Sequence, residues 1–201
     1  MGLGPAIRAV CFDVGGVLIE IAYDWGETLA KPQATGDMIT SCSFLLDYQR
    51  GVLDEKAYLA AVALHLGVDL DEALRCHDRM LKRPMPGMDV LVRELKSAGV
   101  VVGCLSNTNE PHWIEMFDSG RFAAMEELEV RLASHRIGAS KPSDAAFRAF
   151  QDACGLSPEE ILLFDDIESH CVAAREFGWQ SMLVDPHNDP ASQMRRHLGL
   201  D

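Results

Sequence analysis

Four short segments of this chain carry side chains suited to one kind of chemistry. Asp13 follows the apolar run Ala9 to Phe12 and precedes Gly15 and Gly16, while Ser106 and Asn107 follow Val100 to Leu105. Lys141 stands before Pro142, and the pair Asp165-Asp166 follows Ile161 to Phe164. Read singly, each has an ordinary structural role: Asp in a turn, Ser and Asn as helix caps, Lys in solvent, two Asp residues at a helix start. Taken together they supply a nucleophilic carboxylate, further carboxylates for a divalent cation, and a hydroxyl and an ammonium to bind an anion. Phosphoryl transfer needs those parts, because positioning and charge neutralisation provide most of its catalysis.

These side chains meet only if the strands that carry them lie side by side. Ala9 to Phe12, Val100 to Leu105, Leu128 to Leu132, Ile161 to Phe164 and Ser181 to Val184 are apolar runs of strand length with helical patterns between most of them. That alternation predicts parallel β-α units in an α/β, doubly wound sheet, whose ligand site lies outside the carboxyl ends of the strands. Helix starts are expected at Ser143, at Ser157-Pro158-Glu159-Glu160 and at Asp189-Pro190, and helix ends at Gly99, Gly155, Gly178 and Gly199. From about Glu20 to Pro84 the pattern is helical without a convincing strand. Asp54 begins one helix, with Tyr58, Leu59, Val62 and Leu66 on a face ending at Gly67, and Asp69 begins another with Leu70, Leu74, His77 and Leu81. The reading is a core of residues 1–19 and 85–201 with a small helical insertion at residues 20–84.

At 201 residues, 48% hydrophobic and 24% charged, the composition is that of an ordinary globular protein. A net charge of −13 argues against a nucleic-acid surface, which relies on Lys and Arg, though it leaves room for a locally positive pocket. The apolar runs are too short to span a membrane and no export signal is visible, so a cytoplasmic protein is expected. Six scattered cysteines without metal-like spacing read as reduced thiols, Cys11 and Cys104 being buried in strands.

The ordered set Phe12-Asp13-Val14-Gly15-Gly16-Val17-Leu18, Leu105-Ser106-Asn107, Lys141-Pro142 and Phe164-Asp165-Asp166 resembles the four motifs of the haloacid dehalogenase-like hydrolase superfamily. The resemblance covers essentially the whole chain. It implies a Rossmann-like core in which the first strand is central, flanked by the second and the fourth, with residues 20–84 in the place of the family's small helical cap. It also implies that Asp13 is the nucleophile of an aspartyl-phosphate intermediate, with Ser106 and Lys141 holding phosphate oxygens and Lys141 orienting Asp13. Asn107, Gly15 and Gly16 would sit beside the substrate. Mg²⁺ would bind Asp13, the Gly15 carbonyl and Asp166, with Asp165 bound directly or through water. The implied partner is a small phosphorylated metabolite, the protein acting as a monomer or homodimer.

One position departs from that pattern. Most phosphatases of the superfamily carry a second Asp two residues after the nucleophile as acid and base, and this chain has Gly15. The chain is similar to a bacterial subgroup with Asp-x-Gly-Asn or Asp-x-Gly-Gly that includes an α-D-glucose-1-phosphate phosphatase, which implies a sugar phosphate or another small ester. Two alternatives stand beside it: a dehalogenase, which displaces halide without metal or acid, and a binding protein with weak turnover. Glu20, Asp24 and His112 are candidate substitute acids. Trp25, Tyr48 and Arg50 are candidate cap contacts, with Trp113 near the expected site, although for each of these a packing or surface role is the commoner one, while for His170 a capping or orienting role stands level with a catalytic one.

Overall fold

The computed structural model describes residues 7–33 and 35–200, so the outermost residues of the expected core lie outside it. Five parallel strands form the central sheet: β1 (Ala9–Phe12), β4 (Val101–Ser106), β5 (Val130–Ala133), β6 (Ile161–Asp165) and β7 (Gln180–Leu183). Their order is β5-β4-β1-β6-β7, with β1 in the centre between β4 and β6. This is the parallel α/β arrangement expected from the alternating pattern, with the Rossmann-like order and central β1 that the family resemblance implies.

Helices cover both faces. In β1 successive side chains point to opposite sides, so Val10 and Phe12 join one buried cluster while Ala9 and Cys11 join the other. The first face receives α4 (Met88–Ser97) through Met88, Leu91, Val92 and Leu95, a spacing that puts all four on one stripe of the helix. It also receives α5 (Glu110–Asp118), α6 (Ala123–Glu126) and α10 (Pro190–Leu198). The second face receives α8 (Asp144–Cys154), through Ala146, Phe147 and Phe150, and α9 (Glu168–Phe177), with the short α7 (Ser134–Ile137) at the end of β5. Helices α8, α9 and α10 stop at Gly155, Gly178 and Gly199 as the sequence predicts. The Ser157 motif departs from expectation: it starts only a single turn, Pro158–Glu160, which runs directly into β6.

The segment between β1 and α4 departs further. It contains α1 (Ser43–Gln49), α2 (Glu55–Leu66) and α3 (Leu70–Asp78), but it opens and closes with β2 (Ile19–Ile21) and β3 (Leu81–Pro84). These two strands pair antiparallel, so positions 19/20 and 84/85 fall within a two-stranded ribbon rather than at the edge of an all-helical segment. Leu81 therefore belongs to β3 and not to the preceding helix. On α3 the buried face is Ala73, Cys76 and His77, while Leu70 and Leu74 are exposed. The three helices have their own apolar cluster, built on Trp25, Leu45, Tyr48, Tyr58 and Val62. Two polar contacts join this cluster to the sheet-bearing part. Ser134 at the start of α7 donates to the Gln49 carbonyl at 2.6 Å, and His112 Nε2 on α5 lies 3.0 Å from the His77 carbonyl.

Candidate functional site

The carboxyl ends of β1, β4 and β6 bring the expected residues together. The Asp13 amide donates to the Phe164 carbonyl at 2.8 Å, which extends the β1-β6 pairing and places Asp13 beside the end of β6. Ser106 ends β4 and is buried. Asp165 is the last residue of β6 and fully buried, and Asp166 follows it on the loop to α9.

Lys141 occupies the centre. Its ammonium lies 2.9 Å from Asp13 Oδ1 and 2.5 Å from Asp165 Oδ2, and its side chain is inaccessible to solvent. Burial works against the charged ammonium, but Asp13 and Asp165 outweigh it and hold the Lys141 pKa above its ordinary value. Burial would likewise push Asp165 up. Lys141 and the His170 ring, whose Nδ1 lies 3.0 Å from Asp165 Oδ1, more than compensate and hold it low. Asp13 is raised by burial, which the Lys141 charge offsets only in part. Asp166, pushed by burial and then by the charges of Asp13 and Asp165, rises to about 7.

One oxygen each from Asp13, Asp165 and Asp166 lies within 4.8 Å of the others. Three clustered carboxylates facing one ammonium leave excess negative charge, and oxygen donors of this kind fit a hard divalent cation. The oxygens of Asp165 are already engaged, Oδ2 by Lys141 and Oδ1 by the Ile167 amide at 2.9 Å and by His170. Asp13 and Asp166 are thus the freer donors, while Asp165 holds Lys141.

Asn107 has a different task from contacting a ligand through its side chain. Its amide nitrogen donates to the Lys141 carbonyl and its Oδ1 accepts from the Lys141 amide, both at 2.9 Å. This pair fastens the loop after β4 to the loop that carries Lys141. The two glycines also separate in role. A Cβ on Gly15 would lie 3.0 Å from Ile21 Cδ1, so the position faces the ribbon and not an open pocket. Gly16 has φ +76, and a Cβ there would lie 2.3 Å from Asp166 Oδ2 and 2.5 Å from the Tyr23 hydroxyl.

Several sequence candidates prove structural. Glu20 pairs with Arg83 at 2.5 Å. Asp24 caps the turn Trp25–Glu27, accepting from the Gly26 amide at 2.6 Å, and the Thr35 hydroxyl bond holds its carboxyl low. His112 is buried, which pushes its pKa down to about 4, and it stacks on His77 at 3.9 Å. Trp25 is wholly buried and Tyr48 stacks on Tyr58 at 4.3 Å, whereas Arg50 is exposed. Trp113 packs under the Arg136 guanidinium, 5.3 Å from its ring centre. His170 does belong to the site, through Asp165. Tyr23 is a residue the sequence pattern did not reveal: its hydroxyl donates to Asp166 Oδ2 at 3.0 Å. Nothing in its local spacing marks it, because the contact joins segments 143 residues apart.

A family model described as haloacid dehalogenase-like hydrolase matches residues 7–178, which takes in all four motifs. The chain belongs to the haloacid dehalogenase-like hydrolases. Among its relatives, Phosphatase MT3486 of Mycobacterium tuberculosis (strain CDC 1551 / Oshkosh) is 33% identical over 116 residues, 57% of this chain and 52% of that protein. The chain therefore matches about half the length of that relative. Among solved structures, the HAD family enzyme bt-2542 of Bacteroides thetaiotaomicron, in complex with magnesium and inorganic phosphate, has a TM-score of 0.76 at 23% identity, covering 94% of this chain and 100% of that one. The L-2-haloacid dehalogenase of Xanthobacter autotrophicus with chloropropionic acid covalently bound has a TM-score of 0.62 at 17% identity, covering 89% of this chain and 77% of that one. These two establish the shared fold. Among the described residues, no helix is long and apolar enough to cross a membrane.

Proposed function

We propose that this hydrolase is a Mg²⁺-dependent phosphatase of small phosphate esters, working through an aspartyl-phosphate on Asp13. The observation that carries the reading is the grouping of Asp13, Asp165 and Asp166 around one buried lysine. A displacement of halide from carbon has no use for so much clustered negative charge. Phosphoryl transfer does, since a cation held there neutralises the incoming phosphate. The relative named as a phosphatase and the fold neighbour solved with magnesium and phosphate support the same choice.

In this scheme Lys141 holds Asp13 Oδ1 at 2.9 Å, keeps the carboxylate aimed for attack and works against the upward push of burial on its pKa. An Asp13 oxygen forms a bond to phosphorus while the ester oxygen leaves with its electron pair. Ser106 and the Lys141 ammonium bind phosphate oxygens in the transition state. Water then attacks the aspartyl-phosphate, releasing orthophosphate and restoring the Asp13 carboxylate. Asp13, Asp166 and the Gly15 carbonyl would hold the Mg²⁺, with Asp165 bound directly or through water, and the cation would supply charge neutralisation.

Gly15 narrows the substrate. A positioned acid contributes about 10²–10⁴-fold, and this site has no carboxylate at that position to supply it. An ester whose leaving oxygen is stable without early protonation suits the site better than a simple alkyl ester, and a sugar 1-phosphate, with its hemiacetal leaving group, meets that need. A cleft of about 620 Å³ runs beside the site between the ribbon and the loop before α10. Its walls include Tyr23, Lys82, Arg83, Met85, His187 and Pro190, a mixture of rings and paired charges that can receive a polyol. The ribbon, with Tyr23 and Glu27 just beyond it, forms one wall of this entrance.

The test is phosphate release from a panel of small esters including sugar 1-phosphates, with and without Mg²⁺, in the parent and in Asp13→Asn. The expected result is Mg²⁺-dependent release by the parent that falls to background in the variant. Halide release from chloropropionic acid without Mg²⁺, and no phosphate release, would instead establish displacement at carbon.

A further inference from the structure

Asp166 is held differently from its two neighbours. Asp13 and Asp165 both face the Lys141 ammonium at 2.9 and 2.5 Å, whereas the Asp166 carboxylate accepts from the Tyr23 hydroxyl at 3.0 Å. This bond crosses directly over Gly16. Any Cβ at that position would lie 2.3 Å from Asp166 Oδ2 and 2.5 Å from the Tyr23 hydroxyl, so the glycine is the space through which the bond passes.

Tyr23 is itself well fixed. It follows β2, its carbonyl accepts from the Ile39 amide at 2.8 Å, and its amide donates to Glu27 Oε1 at 3.1 Å. Its ring lies 5.6 Å from the His187 ring across the cleft. The hydroxyl is thus delivered from the segment that leads into the three helices, and the carboxylate from the central sheet.

We propose that Tyr23 is a positioning residue for the cation site: its hydroxyl holds Asp166 toward Asp13 and so sets the affinity for a divalent ion. The proposal rests on the assignment of Asp13 and Asp166 as cation ligands. Loss of a hydrogen bond to a ligating carboxylate commonly weakens metal affinity by about 10–100-fold. Removing one hydroxyl without disturbing the ring therefore isolates the effect.

The experiment is calorimetric titration of Mg²⁺ into metal-free parent, Tyr23→Phe and Asp166→Asn proteins, with thermal midpoints measured in the same metal-free buffer. The expected result is about tenfold weaker Mg²⁺ binding by Tyr23→Phe at a thermal midpoint near that of the parent, with binding lost in Asp166→Asn. Unchanged or tighter binding by Tyr23→Phe, with Asp166→Asn still inactive in binding, overturns the role of Tyr23 and leaves the cation site standing. A lower midpoint with unchanged affinity also overturns it, because the bond then serves only the fold. Absence of Mg²⁺ binding by the parent overturns the cation assignment itself and the proposal with it.

Discussion

Two groups of buried polar side chains in this protein solve the same problem in opposite ways. At the strand ends, Lys141 and Asp165 are held in their charged forms because they face each other at 2.5 Å, with Asp13 on the other side of the ammonium at 2.9 Å. Where α3 meets α5, His77 and His112 stack with ring centres 3.9 Å apart and lack such a partner, and burial drives both toward the neutral form. Three of the four ring nitrogens are met by neutral groups, Tyr58 at His77 Nδ1, Asn109 at His112 Nδ1 and the His77 carbonyl at His112 Nε2, while His77 Nε2 is buried without a hydrogen-bond partner. Burial alone therefore does not decide protonation. The sign of the nearest neighbour does, and this is why one group can do ionic chemistry while the other serves as packing.

Three substitutions test that contrast, the strongest first. Lys141→Met removes the cation and leaves Asp13 facing Asp165, and unpairing a buried charge costs about 3–5 kcal/mol. The parent and variant should differ by that amount in denaturant unfolding at pH 7, with phosphate release lost. An unchanged midpoint would break the claim that this lysine holds the two carboxylates.

The histidines give a smaller effect with a defined sign. His112 has a pKa near 4 when folded against about 6.5 when unfolded, so its contribution is complete above pH 6.5 and is lost as the pH falls toward 4. Between pH 7 and pH 4 this removes about 3 kcal/mol of stability. Asp166 acts in the reverse direction over the same range, since its pKa near 7 in the fold means that it gains protons before the unfolded chain does. Its slope is common to both proteins and cancels when the parent is compared with His112→Gln, measured without metal. The variant should lose about 3 kcal/mol less than the parent over that range.

Tyr58→Phe is the mildest of the three. The Tyr58 hydroxyl lies 3.0 Å from His77 Nδ1, and its loss leaves a neutral buried ring nitrogen unmatched. Unfolding should show a cost of about 1–2 kcal/mol, below that of Lys141→Met because no net charge is stranded.

Much of the site was legible because its residues sit where apolar strands end. Asp13, Ser106 and Asp165 are each marked by a buried run just before them, and a parallel sheet brings such ends to one edge. The ribbon was not legible for the converse reason. Ile19–Ile21 is three residues long and Leu81–Pro84 ends in proline, so their strand character arises from pairing across some sixty positions and not from local pattern. Separation along the chain likewise hid Tyr23, 143 residues from Asp166, and the stack of His77 on His112, 35 residues apart.

By itself, the sequence determined the parallel α/β core, the order of the motifs and the chemistry available at their ends, since these depend on local periodicity and residue type. The tertiary structure decided how that chemistry is held. It placed Lys141 between Asp13 and Asp165, used the Asn107 side chain to fasten the Lys141 backbone, and brought Tyr23 over Gly16 to Asp166. Each of these is a contact between residues far apart in the chain, and a contact of that kind has no local signature to read.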